Sequence, residues 1–91
     1  MLFNLGQIVI TQGVKAIIDK EPILEVSLEV LLKSYQRGNW GIVCDEDKRA
    51  NDKALIGDSR ILAGYMLGNK KIWVITEWDR SLTTILLPEE Y

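Results

Sequence analysis

The sequence predicts an α+β fold: a three-stranded antiparallel β-meander, open to extension by an N-terminal strand, with two to three helices packed mainly on one face. Three observations carry that prediction. Residues 58–87, DSRILAGYMLGNKKIWVITEWDRSLTTILL, hold β-rich runs separated by turn signals. Leu24, Leu28, Leu31 and Tyr35 recur at helical spacing, with Val30 and Leu32 flanking the stripe. The 91 residues, 47% hydrophobic and 26% charged, fit one globular domain, 1–91, with no room for two independent cores.

Each element follows in turn. Residues 5–10, LGQIVI, alternate loosely and suit a short strand at a sheet edge. Thr11 is placed to cap a helix over 12–19, with Val14, Ile17 and Ile18 on one face. Gly13 inside it costs about 1 kcal/mol of helix propensity. Glu21-Pro22 ends it, because the residue before a proline avoids the α region. A second helix is expected over 27–36, with Ser27 as N-cap and Gly38 just past its end. Asn39-Trp40-Gly41 then makes a tight turn, with Trp40 plugging the helix against the sheet. Residues 45–55, DEDKRANDKAL, put acids first and bases later, the order a helix dipole favours. Ala50, Ala54 and Leu55 give this third helix a thin apolar stripe, so it belongs on the surface. Ile56-Gly57-Asp58 turns the chain into the meander.

Gly68-Asn69 marks a two-residue hairpin loop, and the register follows from it. Leu67 faces Lys70, Tyr65 faces Ile72, Ala63 faces Val74 and Ile61 faces Thr76. On the other face Gly64 meets Trp73, Leu62 meets Ile75 and Arg60 meets Glu77. Favourable cross-strand pairs of this kind contribute roughly 0.2–1 kcal/mol each, and a slip of one residue would exchange the faces. A second turn at Trp78-Asp79-Arg80-Ser81 returns the chain as a strand over 82–87, stopped by Pro88. Both faces of the middle strand are apolar, so helices should cover one face. The N-terminal strand or a second subunit should shield part of the other.

Composition narrows the chemistry. A net charge of −2 and a pI near 5.0 provide no basic field for nucleic acid. The lone Cys44 excludes an internal disulfide and a cysteine cluster, and the chain has no histidine. The start MLFNLGQIVI has no charged leader region, and no apolar run reaches the ~20 residues of a membrane span. A cytoplasmic protein with no membrane partner is expected. No phosphate-cradling glycine loop is present. No catalytic residue, metal ligand or cofactor is assigned.

Four candidate sites remain. Asp45, Glu46, Asp47 and Asp52 with Glu77 and Asp79 form an oxygen-rich set of the type that holds Mg²⁺ or Mn²⁺. Against that, Asp45 and Asp52 lie two helical turns apart, and acids at a helix start complement its dipole. Cys44, just before a helix, is a candidate nucleophile but lacks a base to activate it. Lys70, Lys71, Trp73 and Trp78, with Lys48, Arg49 and Lys53 on the third helix, offer weak single-stranded nucleic-acid contacts. The acidic total disfavours them. Trp78-Asp79-Arg80-Ser81 beside Glu77 presents the residue types that anchor protein interfaces. The alternative is that Trp78 packs locally and Arg80 pairs with Glu77 or Asp79.

LGQIVITQG (5–13), GNWG (38–41), DKRANDKAL (47–55) and KIWVITEWDRSLTTILLPEEY (71–91) resemble a family of short, functionally unassigned bacterial proteins tied to plasmids and mobile elements. Its pattern is similar to LGQIVAT-G, G-D-W-G, D-K-x-x-N-D-x-A-L and K-I-W-I-I-T-E-x-D-R-S-x-T-T-I-L-L-P-x-E-Y. The likeness is specific over 71–91 and loose over 14–36, and Asn39 stands where the pattern has Asp. Some members carry labels linking them to type I restriction subunits, although 91 residues hold no methyltransferase or translocase domain. The resemblance implies that Trp40, Asp47, Asn51, Asp52, Glu77, Asp79, Arg80 and Ser81 matter beyond the apolar core. With Trp78 they define a candidate interaction surface formed by the second turn and the third helix.

The function expected is a non-enzymatic protein-interaction module, an accessory of a mobile element with a defence or counter-defence role open to it. Its partner is another protein, and a homodimer through the sheet is a further option. The alternatives are a small divalent-metal enzyme using Asp47, Asp52, Glu77 and Asp79, and a weak single-stranded nucleic-acid binder.

Overall fold

A computed structural model describes residues 2–91 and shows an α+β fold. Its elements are β1 (Gln7–Ile10), α1 (Gln12–Lys20), α2 (Leu24–Gln36), α3 (Asp45–Ala54), β2 (Ile61–Leu67), β3 (Lys70–Thr76) and β4 (Leu82–Leu86), with a closing 3₁₀ turn at Pro88–Glu90. Among the described residues no helix is long and apolar enough to cross a membrane.

The hairpin register matches the expectation from Leu67↔Lys70 to Ile61↔Thr76, with Gly64 opposite Trp73. Gly68 has φ of +62° and no other loop residue is left-handed, the pattern of a type II′ turn with glycine first. Arg60 lies beyond the paired residues. Its guanidinium donates to the Tyr91 hydroxyl and not to Glu77. β4 then pairs with β3, Thr76 facing Thr83 and Val74 facing Ile85.

The meander is extended to four strands, in the order β1-β4-β3-β2. β1 runs parallel to β4, Gln7 beside Leu82 and Ile10 beside Ile85, so the sheet is mixed and not purely antiparallel. A parallel pair needs a long crossover; here it is everything from α1 to β3.

The inner face carries Ile61, Ala63, Tyr65, Leu67, Ile72, Val74 and Ile85 against Val14 of α1 and Leu24, Leu28, Leu31 and Tyr35 of α2. The expected α2 stripe is the one that is buried. The helix starts at Leu24 and not at Ser27, because Glu21 and Pro22 accept from the N–H groups of Leu24 and Glu25 in a tight preceding turn. Gly38 closes it with φ of +87°. Thr11 precedes α1 without capping it. Its hydroxyl donates to Glu90 Oε1 (2.5 Å), and the other oxygen accepts from Gly13 N–H (2.9 Å), so the cap comes from the far end of the chain.

A hydroxyl chain threads the core. Thr83 Oγ1 donates to Leu5 O (2.7 Å), so it accepts from Thr76 (2.8 Å), which in turn accepts from Tyr35 (2.7 Å). Each hydroxyl has one proton, so one anchor fixes every direction. On the outer face Tyr91 packs on Trp73, ring centroids 5.1 Å apart. The shield there comes from the chain's own C-terminus.

Candidate interaction surface

The second turn is held by its own backbone. Glu77 N–H donates to Leu82 O and Arg80 N–H to Glu77 O, both at 2.9 Å. Asp79 Oδ1 accepts from Ser81 Oγ (2.6 Å) and Ser81 N–H (3.1 Å), and these bonds hold its carboxyl below the usual value. Arg80 has φ of +59°, unusual for a side chain with a Cβ.

That backbone turns the Arg80 guanidinium inward. Nη1 donates to the carbonyls of Ser59 (2.7 Å), Glu77 (3.1 Å) and Trp78 (3.4 Å), and Nη2 to that of Ala54 (2.6 Å). The Phe3 ring centroid lies 6.0 Å from its Cζ. One side chain thus ties the end of α3, the entry to β2 and the turn to the N-terminal segment. The positive charge also sits at the carbonyl end of α3, where the helix dipole favours it. Among the described residues Arg80 forms no ion pair with Glu77 or Asp79.

The other motif residues are placed as follows. Trp40 is 4% exposed, T-shaped against Tyr35, and donates from Nε1 to Asp52 Oδ1 (2.9 Å). Asn51 is 3% exposed and bonds the backbone of Leu62. Glu77 is half-buried and acts through its backbone. Asp47 is exposed on α3, beside a cavity of about 310 Å³ that Cys44, Lys71 and Trp73 also line. Asp79 and Ser81 are exposed but bond each other. Trp78 stands 61% exposed.

The nine candidates therefore separate into an inward set that binds one element to the next and an exposed set, Trp78, Asp79 and Ser81 in the turn and Asp47 on α3. Ile56, 93% exposed just past α3, lies on a segment the Arg80 clamp also fixes and was not singled out by sequence. Isolated exposed apolar residues in a loop carry no pattern, so no sequence signal marked it. Phe3 and Glu90 were missed for a different reason: their partners lie far along the chain.

The acidic set is not brought together. Among the described residues no group of three or more Cys, Asp or Glu side chains could hold a metal ion. Asp52 is engaged by Trp40 and Asp79 by Ser81. The basic-aromatic set is dispersed too. Lys71 Nζ lies 6.0 Å from the Trp73 ring centroid, and Tyr91 packs against the same ring. Trp78 sits five residues further on, about 16 Å along an extended chain.

Comparison with family models, curated proteins and solved structures finds no match in any of the three.

Proposed function

We propose that this chain is a non-enzymatic protein-interaction module whose contact surface is the Trp78 turn. The observation that carries the reading is an exposed indole on a turn made rigid by Arg80 and four carbonyls. Burying a large apolar ring carried on a backbone that is already fixed costs a partner less ordering entropy. Tryptophan is also among the residues that dominate interface energetics. The exposed carboxylate of Asp79 stands next to it in the same turn.

The partner is another protein, met in the cytoplasm. The resemblance of residues 71–91 to proteins of plasmids and mobile elements supports an accessory role there, with defence or counter-defence as its setting. The test is affinity capture from host lysate with wild type and Trp78→Ala in parallel, thermal melting being recorded for both. A protein retained by wild type and lost with an equally stable Trp78→Ala supports the reading. Equal capture by both, or none by either, removes Trp78 from it.

A further inference from the structure

The two edges of the sheet are treated differently. The β2 edge is sealed by its own chain: Asn51 bonds Leu62, while Trp40 O and Ile42 N–H bond the N–H and C=O of Gly64. At the other edge β1 has no outer partner among the described residues. Gln7 and Thr11 donate inward to Ser81 O and Ile85 O, so the odd-numbered residues pair with β4. The N–H and C=O groups of Ile8 and Ile10 therefore point away from the sheet.

Apart from its four-residue length, nothing on this edge discourages pairing. Natural edges are usually blunted by lysine, proline or a bulge, and Gln7–Ile10 is QIVI, with Ile8 47% and Val9 39% exposed. Residues 2–14 contain no charged side chain at all. The nearest charges that follow, Lys15 and Asp19, pair with each other at 3.1 Å. A partner recognised by charge would find nothing to read, whereas a copy of the same strand would meet no repulsion.

From this geometry we infer that β1 is where a second copy of the chain docks, in antiparallel β1–β1 pairing that continues the sheet across a two-fold axis. The parity of the free groups narrows the register. Residues opposite each other and hydrogen-bonded must both be even-numbered, and of the registers left the one that engages the free groups of both isoleucines sets Ile8 opposite the partner's Ile10 and Ile10 opposite the partner's Ile8. Val9 then faces the partner's Val9 on the axis. Such an interface is isologous and self-complementary, as a closed dimer requires. A strand of four residues buries less than the roughly 800 Å² per partner of a standard interface. The dimer is therefore expected to be concentration-dependent.

Sedimentation equilibrium from about 10 μM to about 1 mM, a range suited to a sub-standard interface, decides the matter. Wild type should pass from monomer to dimer. Val9→Lys and Val9→Glu, each setting like charges against each other on the axis, should stay monomeric with unchanged circular dichroism. An equimolar mixture of the two should regain dimer. A wild type that stays monomeric throughout, a Val9→Lys that still dimerises, or two folded variants that fail to associate when mixed would each overturn the inference. A wild-type monomer that instead takes up an extended peptide of uncharged sequence would reassign the edge to a foreign strand.

Discussion

The carboxamide of Asn51 completes the edge of β2 by donating to Leu62 O at 2.7 Å and accepting from Leu62 N–H at 3.1 Å. A side-chain amide has the donor and acceptor arrangement of a peptide unit, so it substitutes for a neighbouring strand. The pair is nearly sealed from water, and each bond contributes about 1 kcal/mol with a further cost if its partner is left unpaired. Asn51→Ala should lower stability by about 2–3 kcal/mol, a fall in Tm of the order of 10 °C for a domain of this size. Asn51→Asp should fare nearly as badly, because a carboxylate cannot donate to Leu62 O. Urea unfolding of both variants checks the expectation.

Arg80 and Trp78 are neighbours with opposite assignments. Removing the guanidinium takes a donor from four carbonyls, Glu77 O keeping the Arg80 N–H, and releases the end of α3. Arg80→Ala should cost about 2–3 kcal/mol, since hydrogen bonds to a charged group contribute about 1.5–3 kcal/mol. Arg80→Lys should recover only part, because an ammonium lacks the planar fork that reaches Ala54 and Ser59 together. Trp78→Ala should change stability by no more than about 0.5 kcal/mol, as for other exposed sites. Chemical denaturation of the three variants separates clamp from contact surface.

The hairpin was legible because a two-residue loop converts position into register by counting, and every cross-strand pair from 61 to 76 follows from it. The α2 stripe was legible for the same reason, a fixed period. The parallel seat of β1 beside β4 was not, since more than seventy residues separate them and neither strand carries a mark of the other. The polar motif was legible only as residues the apolar core does not explain. Asn51 and Arg80 bind backbone groups, which every residue has, so no partner could be read from side-chain patterns. That made inward-facing braces and an outward-facing anchor look like one surface.

Gly41 marks where the chain crosses the β2 edge. Its φ is +70°, and a Cβ there would lie 1.9 Å from Gly64 O and 2.8 Å from the Tyr65 ring. Backbone cannot give way at that distance, so Gly41→Ala combines a left-handed penalty of about 1–2 kcal/mol with overpacking of about 1–3 kcal/mol. It should be the most damaging single methyl in the chain. Gly57→Ala is the control: its Cβ would meet only Lys53 O at 3.7 Å, and loss of unfolded-state freedom should leave stability unchanged or up to about 1 kcal/mol higher. The melting temperature should therefore fall steeply for Gly41→Ala and hold or rise for Gly57→Ala.

Stability should form a plateau with an acid limb and an alkaline limb. Glu90 accepts from Thr11 Oγ1, Leu87 N–H and Gly13 N–H, which hold its carboxyl below its ordinary 4.5; the Thr11 bond is the largest cause. The unfolded chain takes up that proton first, so the contribution is complete above about pH 5 and is lost as pH falls through the folded value. Asp79, held low by Ser81, acts with the same sign. Burial acts oppositely on Tyr35 and Tyr65, raising both phenols well above their ordinary 10.0. There the unfolded chain loses its protons first, so stability declines as pH rises beyond about 10. Urea midpoints measured from pH 3 to pH 11.5 should therefore be flat between about 5 and 9.5 and fall on both sides. Glu90→Gln should shallow the acid limb without touching the alkaline one, and Tyr35→Phe should do the reverse. An acid limb equally steep in Glu90→Gln would mean that the carboxylate bridging the two ends of the chain contributes nothing to its pH dependence.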